Sequence, residues 1–151
     1  MTRSITALLV FLACAFGAAS TGYFFPPGDW YAGIEKPFFN PPAWIFGPVW
    51  TALYAMMSVA AWLAWKQAGW RSRPITLWFG QIALNALWTP LFFGLHWLGV
   101  AMLELAALWV LILLTLLAFR QVSRPAAWLM APYLAWVSFA WVLNLSLWRL
   151  N

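Results

Sequence analysis

Residues 30–50 read WYAGIEKPFFNPPAWIFGPVW and form the longest break between the hydrophobic segments of this 151-residue chain. The stretch contains four prolines and, up to Phe46, five Trp and Phe side chains. Long connections without regular structure are uncommon in compact domains, and disordered segments are poor in aromatic residues. We therefore predict that residues 26–42 form an ordered, aromatic lid over the mouth of a helical bundle.

The composition indicates an integral membrane protein. Hydrophobic residues make up 66% of the chain and charged residues 7%, and the mean hydropathy is +0.82. A soluble domain of this size could not cover so much apolar surface. The 14 tryptophans suit membrane interfaces and aromatic pockets, because the indole ring is apolar and its N–H needs a partner. The single cysteine, Cys14, excludes an internal disulfide, and no nucleic-acid partner is predicted.

Five apolar segments are long enough for the roughly 20 residues that a membrane-spanning helix needs. They lie at about residues 4–25, 43–66, 74–94, 97–119 and 126–148. Open strands are unstable in lipid, and the alternating pattern of a membrane barrel is missing. The predicted fold class is an all-α integral membrane protein, with residues 1–151 as one domain. In this prediction five transmembrane helices form a bundle, and a long ordered loop joins the first two.

The distribution of basic residues predicts the orientation in the membrane. Two of the eight lie on the side of the lid, Lys36 and Arg149. The other six lie on the opposite side: Arg3, Lys66, Arg71, Arg73, Arg120 and Arg124. Because positive residues are retained in the cytoplasm, we expect a cytoplasmic N-terminus and a lid that faces the outside.

Aromatic and polar residues at helical spacing predict a pocket in the outer half of the bundle. The residues predicted to line it are Phe46, Trp50 and Tyr54 of the second helix, Asn85 and Trp88 of the third, and Trp136, Ala140 and Asn144 of the fifth. Asn85 lies about 14 Å below the outer end of its helix at 1.5 Å per residue. A carboxamide at that depth is costly unless it is paired or faces a cavity. Such a pocket suits a large, flat, apolar ligand.

Four motifs follow one another along the chain. The lid and second helix read W-Y-x-x-I-x-K-P-x-x-x-P-P-x-W-x-F and then V-W-x-x-L-Y. The third helix reads Q-x-x-x-N-x-L-W-x-P-x-F-F-G, the fifth reads P-Y-L-x-W-x-x-F-A-x-x-L-N, and the chain ends W-R-L-N. Together, from about Trp30 to Asn151, they resemble the translocator protein (TspO/MBR) family, also called tryptophan-rich sensory proteins or peripheral-type benzodiazepine receptors. The chain looks like a bacterial member.

This resemblance implies a function and a set of ligands. It implies a membrane sensor or transporter, usually a homodimer, that binds porphyrin or haem as a ligand, of the protoporphyrin IX type, without an obligatory cofactor. Isoquinoline-type drugs and sterol are further ligands that the family suggests. By motif, the resemblance assigns ligand contact to Tyr31, Pro41, Trp50, Asn85, Trp136 and Ala140. The tyrosine of the sterol motif in animal members is replaced here by Leu145, although Arg149 remains.

Two alternatives stay open at this point. One is a light- and oxygen-dependent enzyme that degrades porphyrin, with Trp50 and Trp136 flanking the ring. The other is a structural membrane subunit without a small ligand. No further catalytic residue and no metal site are predicted, because the sequence has no hydrolytic constellation, phosphate loop or metal-ligand cluster. His96 lies in a turn, where a solvated histidine is commoner than a haem ligand, and Glu104 is predicted to pair with the lid or with solvent.

Overall fold

The structure is a computed structural model that describes residues 2–151, and within that range its regular elements are all helical. A π-helical turn, Pro90–Gly94, follows the fifth helix. The α-helices are α1 (Thr2–Ala19), α2 (Thr21–Phe24), α3 (Gly28–Gly33), α4 (Ala43–Ala68), α5 (Arg73–Thr89), α6 (Leu98–Val122) and α7 (Arg124–Leu150). The predicted all-α class is confirmed.

Four helical segments are long and apolar enough to cross a membrane: Thr2–Phe24, which includes α1 and α2, and then α4, α6 and α7. The remaining predicted span is shorter, because α5 has 17 residues and ends at Thr89. Pro90 has no N–H and its ring crowds the preceding turn, so the α-helical pattern stops there. The chain continues as the π turn, in which the Leu95 amide donates to the Pro90 carbonyl (2.9 Å). The predicted count of five spans is therefore not confirmed.

The lid, residues 26–42, contains a short helix that the sequence analysis did not predict. α3 has six residues and begins at Gly28, whose φ of +57° favours glycine. Asp29 lies in its first turn, where a carboxylate interacts well with the positive end of the helix. The prediction of one continuous loop is wrong in this respect.

The long helices pack side by side in a closed order. α1 contacts α4 and α5, α4 contacts α7, α7 contacts α6, and α6 contacts α5. Both α1 and α4 bury small side chains, among them Ala15, Ala60 and Ala61, which permit close approach of helices. Phe11 of α1 packs edge-on against Trp78 of α5, with ring centroids 5.1 Å apart. This order brings α4, α5 and α7 around one interior volume below the lid.

Candidate functional site

A hydrogen-bonded chain of three buried side chains joins α4, α5 and α7. The Tyr54 hydroxyl donates to Asn85 Oδ1 (2.5 Å), and Asn85 Nδ2 donates to the Tyr133 hydroxyl (2.8 Å). All three side chains are buried. Because an unpaired amide is expensive away from water, pairing both ends of this carboxamide makes its position in the membrane tolerable. Tyr54 and Asn85, which the sequence analysis assigned to a pocket, therefore also connect helices.

Trp50 lies on the lid side of this polar chain, one helical turn before Tyr54. Its ring centroid is 5.5 Å from that of Tyr54 and 6.2 Å from that of Tyr133. The contact with Tyr133 is edge-on, with an interplanar angle of 70°. Such offset or edge-on pairs are the favourable geometries for aromatic rings. The half-buried indole thus covers the two phenols from the lid side.

Aromatic pairs continue outward from Trp50 along the contact of α4 and the lid with α7. The three pairs, here called the aromatic ladder, are Trp50 with Tyr133, Phe46 with Trp136, and Phe39 with Phe139. The two outer pairs have centroid separations of 6.0 and 6.4 Å. Steps of four residues on α4 and three on α7 bring the second pair one turn closer to the lid, and the third pair joins the next turn of α7 to Phe39 of the lid itself. Direct ring contacts therefore occupy the region that the sequence analysis predicted as a pocket.

A second polar contact connects α5, α6 and α7. Trp88 Nε1 donates to Asn144 Oδ1 (3.2 Å), and Asn144 Nδ2 donates to the Leu98 carbonyl (2.8 Å). Trp88 also stacks on Phe92 at 4.7 Å. The two predicted pocket residues Trp88 and Asn144 therefore meet, but in a cluster beside the ladder.

Tyr31 anchors the lid to the bundle. Its ring packs edge-on against Phe93 (5.4 Å), its hydroxyl donates to Asn40 Oδ1 (3.2 Å), and Lys36 Nζ lies 4.9 Å from its centroid. Burial raises the pKa of Tyr31 above its usual value, and the hydrogen bond to Asn40 opposes that shift. The phenol is therefore a neutral donor at physiological pH.

Two further lid contacts were missed by the sequence analysis. Asn151 Oδ1 accepts from the Glu35 amide and Asn151 Nδ2 donates to the Glu35 carbonyl, both at 2.9 Å. His96 stacks on Trp30 with centroids 4.0 Å apart and planes at 11°. His96 has a φ of +58°, a region in which histidine is enriched among non-glycine residues. The only sequence signal for these contacts is that Asn151 and Trp30 both belong to the family motifs.

The other two predicted site residues lie at the margins of the ladder. Pro41 is half-buried in the segment that leads from the lid into α4, and its carbonyl accepts from Asn40 Nδ2 (3.2 Å). Ala140 is half-buried on α7, one turn beyond Trp136, and packs against the main core. Both residues are close in sequence to residues of the ladder. Neither side chain has a polar group that could bind a ligand.

The prediction that Glu104 pairs with the lid or with solvent is wrong. Its side chain is only 8% exposed, and neither carboxyl oxygen has a hydrogen-bond partner among residues 2–151. Gln81 is also buried, and its Oε1 has no partner within the same range. In the described part of the chain, no three His, Cys, Asp or Glu side chains come together as metal ligands would.

Comparison with known proteins identifies the family. The TspO/MBR family model matches residues 6–149. The translocator protein of sheep (Ovis aries) is 44% identical over 126 residues, which cover 81% of this chain and 75% of the sheep protein. Protein CrtK of Rhodobacter capsulatus is 42% identical over 144 residues, 93% of this chain and 89% of CrtK.

A third relative, the tryptophan-rich sensory protein of Cereibacter sphaeroides, is 38% identical over 143 residues, which cover 95% of this chain and 90% of that protein. The three matches cover 81% to 95% of the chain and confirm the family that the four motifs indicated. They also agree with the four apolar helices of the structure. The chain therefore belongs to the TspO/MBR family and is an integral membrane protein.

Proposed function

We propose that this protein binds a tetrapyrrole of the protoporphyrin IX or haem type inside the membrane and acts as its sensor or transporter. The observation that carries the proposal is the aromatic ladder under the lid. Its rings offer flat apolar surfaces of the kind that suits a planar macrocycle. The hydrogen-bonded chain of Tyr54, Asn85 and Tyr133 closes the ladder at its inner end and gives the site a polar floor.

Binding in this proposal separates the outer pairs of the ladder. The lid lies over these pairs. Its amide contact through Asn151 is exposed, and its partly buried rings Trp30, Tyr31 and Phe39 pack against the bundle mainly edge-on. Partly exposed contacts of this kind open more readily than a fully buried core. Displacement of the lid would admit the ring between Phe46 and Trp136, beside the small side chain of Ala140. Lys36, the basic residue of the lid, would then be available to pair with a propionate group.

We further propose that α5 and the π turn together form a fifth span. Their 17 and five residues extend over about 33 Å at 1.5 Å per residue, which matches a hydrocarbon core of about 30 Å. The contact between Trp30 of the lid and His96, just after the π turn, supports this, because it requires both to be on one side. With five spans, the charge distribution favours a cytoplasmic N-terminus and an outer lid.

The remaining family ligands and the oligomeric state stay predictions. Isoquinoline-type compounds are flat and aromatic, so we expect them to compete with porphyrin for the ladder. Sterol has weaker support, because Leu145 replaces the tyrosine of the animal motif. A homodimer is expected from the resemblance.

The test is a titration of protoporphyrin IX into the purified full chain in detergent. Tryptophan fluorescence, corrected for inner-filter absorption, and the porphyrin absorbance band are recorded for the wild type and for Trp50→Leu/Trp136→Leu. The control is Trp44→Leu/Trp128→Leu, which removes two tryptophans that are 74% and 77% exposed and outside the ladder. The absorbance band matters because it does not need the replaced tryptophans as reporters.

We expect saturable changes in the wild type and the control, and their loss in a folded Trp50→Leu/Trp136→Leu variant. Equal binding by all three proteins would show that porphyrin only enters the micelle, and the proposed site would be wrong. Illumination separates the enzymatic alternative. Oxygen-dependent loss of porphyrin absorbance in the wild type, but not in Trp136→Phe that still binds, would support degradation.

A further inference from the structure

A groove of about 560 Å³ lies between α6 and α7 at the end of the bundle opposite the lid. Its lining residues are Leu116, Arg120, Arg124, Ala127, Trp128 and Ala131. They come from the last turns of α6 and the first turns of α7, on either side of the short connection at Ser123. The groove is remote from the aromatic ladder, and the tetrapyrrole proposal makes no use of it.

The charge in this groove is uncompensated by the described chain. Arg120 and Arg124 are both exposed, and the three acidic residues of the protein are elsewhere. Two of these, Asp29 and Glu35, are in the lid region. Glu104, the third, is 16 residues from Arg120 along α6, about 24 Å at 1.5 Å per residue. The two exposed guanidinium groups at this groove are therefore free to pair with an anion from outside the protein.

The rest of the groove is apolar and lies deeper in the bundle than the two arginines. Leu116 lies one turn before Arg120 on α6, and Trp128 lies one turn after Arg124 on α7. Because the two helices are antiparallel neighbours, both arginines lie at the end of the bundle while both apolar residues lie one turn deeper. Trp128 is 77% exposed, as is common for tryptophan at the membrane interface. Charge at the rim and apolar surface below it match a lipid, whose phosphate and acyl chains are ordered in the same way.

We propose that this groove binds one anionic phospholipid, with its phosphate between Arg120 and Arg124 and an acyl chain beside Leu116 and Ala131. Guanidinium groups pair with phosphate through two parallel hydrogen bonds, which makes arginine well suited to this role. Basic pockets between membrane helices bind anionic head groups by the same chemistry. Because the groove and the ladder are at opposite ends of the bundle, lipid binding here does not depend on a ligand at the ladder.

Native mass spectrometry of the full chain in detergent tests the site directly. Phosphatidylglycerol is the probe and phosphatidylcholine the neutral reference. The variant Arg120→Gln/Arg124→Gln is compared with Arg71→Gln/Arg73→Gln, which removes two charges from the same end of the bundle but outside the groove. We expect one retained phosphatidylglycerol in the wild type and control, and roughly tenfold weaker retention in the groove variant, because each basic residue near an anionic lipid contributes several-fold.

A second variant, Ala131→Phe, keeps both arginines and fills the apolar part of the groove. It should also lose the lipid if an acyl chain lies there. Glycerol 3-phosphate tests whether a small phosphate suffices, and we expect it not to displace the lipid. Equal retention by the wild type and Arg120→Gln/Arg124→Gln, or an equal loss in the Arg71→Gln/Arg73→Gln control, would overturn the site. Full displacement by glycerol 3-phosphate would show an anion site and overturn the lipid assignment.

Discussion

Asn85 is the residue through which α4, α5 and α7 meet in the interior. Its carboxamide accepts from Tyr54 and donates to Tyr133, so one side chain satisfies two buried phenols. The net value of one such hydrogen bond in a membrane is small, about 0.6 kcal/mol on average. A buried polar group that loses its hydrogen-bond partner costs more free energy than the bond contributes. Replacement of Asn85 alone should therefore destabilise the protein more than joint replacement of Asn85 and its two partners.

We expect Asn85→Leu to lower the free energy of unfolding by about 1–3 kcal/mol for each phenol left without its partner. The triple variant Tyr54→Phe/Asn85→Leu/Tyr133→Phe leaves no polar group behind and should lose much less. Denaturant unfolding in detergent measures both. If the single and triple variants lose the same free energy of unfolding, the contribution of Asn85 to stability does not come from its hydrogen bonds to the two phenols.

At the scale of the elements, the lid is attached at α3, just after α3 and, through the ring contact of Phe39 with Phe139, near its far end. Tyr31 and Trp30 attach α3 through ring contacts with the π turn and His96. The segment after α3 is attached through the paired amide of Asn151 and the peptide groups of Glu35. The rings of α3 pack against the buried Phe92, whereas the Asn151 contact is exposed. Loss of the Asn151 contact should therefore loosen the segment after α3 without unfolding the bundle.

Asn151→Ala should therefore increase hydrogen exchange in residues 34–42 while the thermal unfolding midpoint of the bundle stays nearly constant. Hydrogen–deuterium exchange followed by mass spectrometry measures this for each peptide. Arg149→Ala is the matched control, because it changes an exposed neighbour that makes no contact with Glu35. Unchanged exchange in Asn151→Ala would mean that the amide pair does not hold the lid.

For the whole molecule, charge and helix order together set the arrangement in the membrane. All three acidic residues belong to the lid region or to the lid-side third of α6, and six of the eight basic residues lie at the other end. The closed order of α1, α4, α7, α6 and α5 requires α5 to run beside full-length spans. A membrane that surrounds the bundle would then surround α5 as well, which is the reason for expecting five crossings.

Single cysteines introduced into a Cys14→Ala background test both the orientation and the crossing of α5. The positions are Phe38 in the lid, Gln67 at the end of α4 and Leu95 after the π turn, all of them exposed. With a membrane-impermeant maleimide on intact cells, we expect labelling at Phe38→Cys and Leu95→Cys but not at Gln67→Cys. Labelling only at Gln67→Cys would reverse the orientation, and Leu95→Cys behaving like Gln67→Cys would exclude a crossing by α5.

The sequence by itself determined the helical class and the family, and it predicted some of the residues that face the interior. The class and the helix faces depend on local properties, because hydropathy over about 20 residues and spacing of three or four residues are visible in one segment at a time, whereas the family was indicated by the four motifs. Phe46, Trp50, Tyr54 and Trp136 were placed on the correct faces for that reason. The π turn at Pro90 and the short helix α3 depend on backbone conformation at single positions, which hydropathy does not report.

Tertiary structure alone decided the partners. Asn85 meets residues 31 and 48 positions away, and Asn151 meets Glu35, 116 positions away. The order of the helices around the bundle and their rotation about their axes decide that Asn85 meets two phenols. They also decide that the Glu104 carboxyl group meets no hydrogen-bond partner among residues 2–151. Neither is a property of one segment, because many helix orders would bury the same apolar faces equally well.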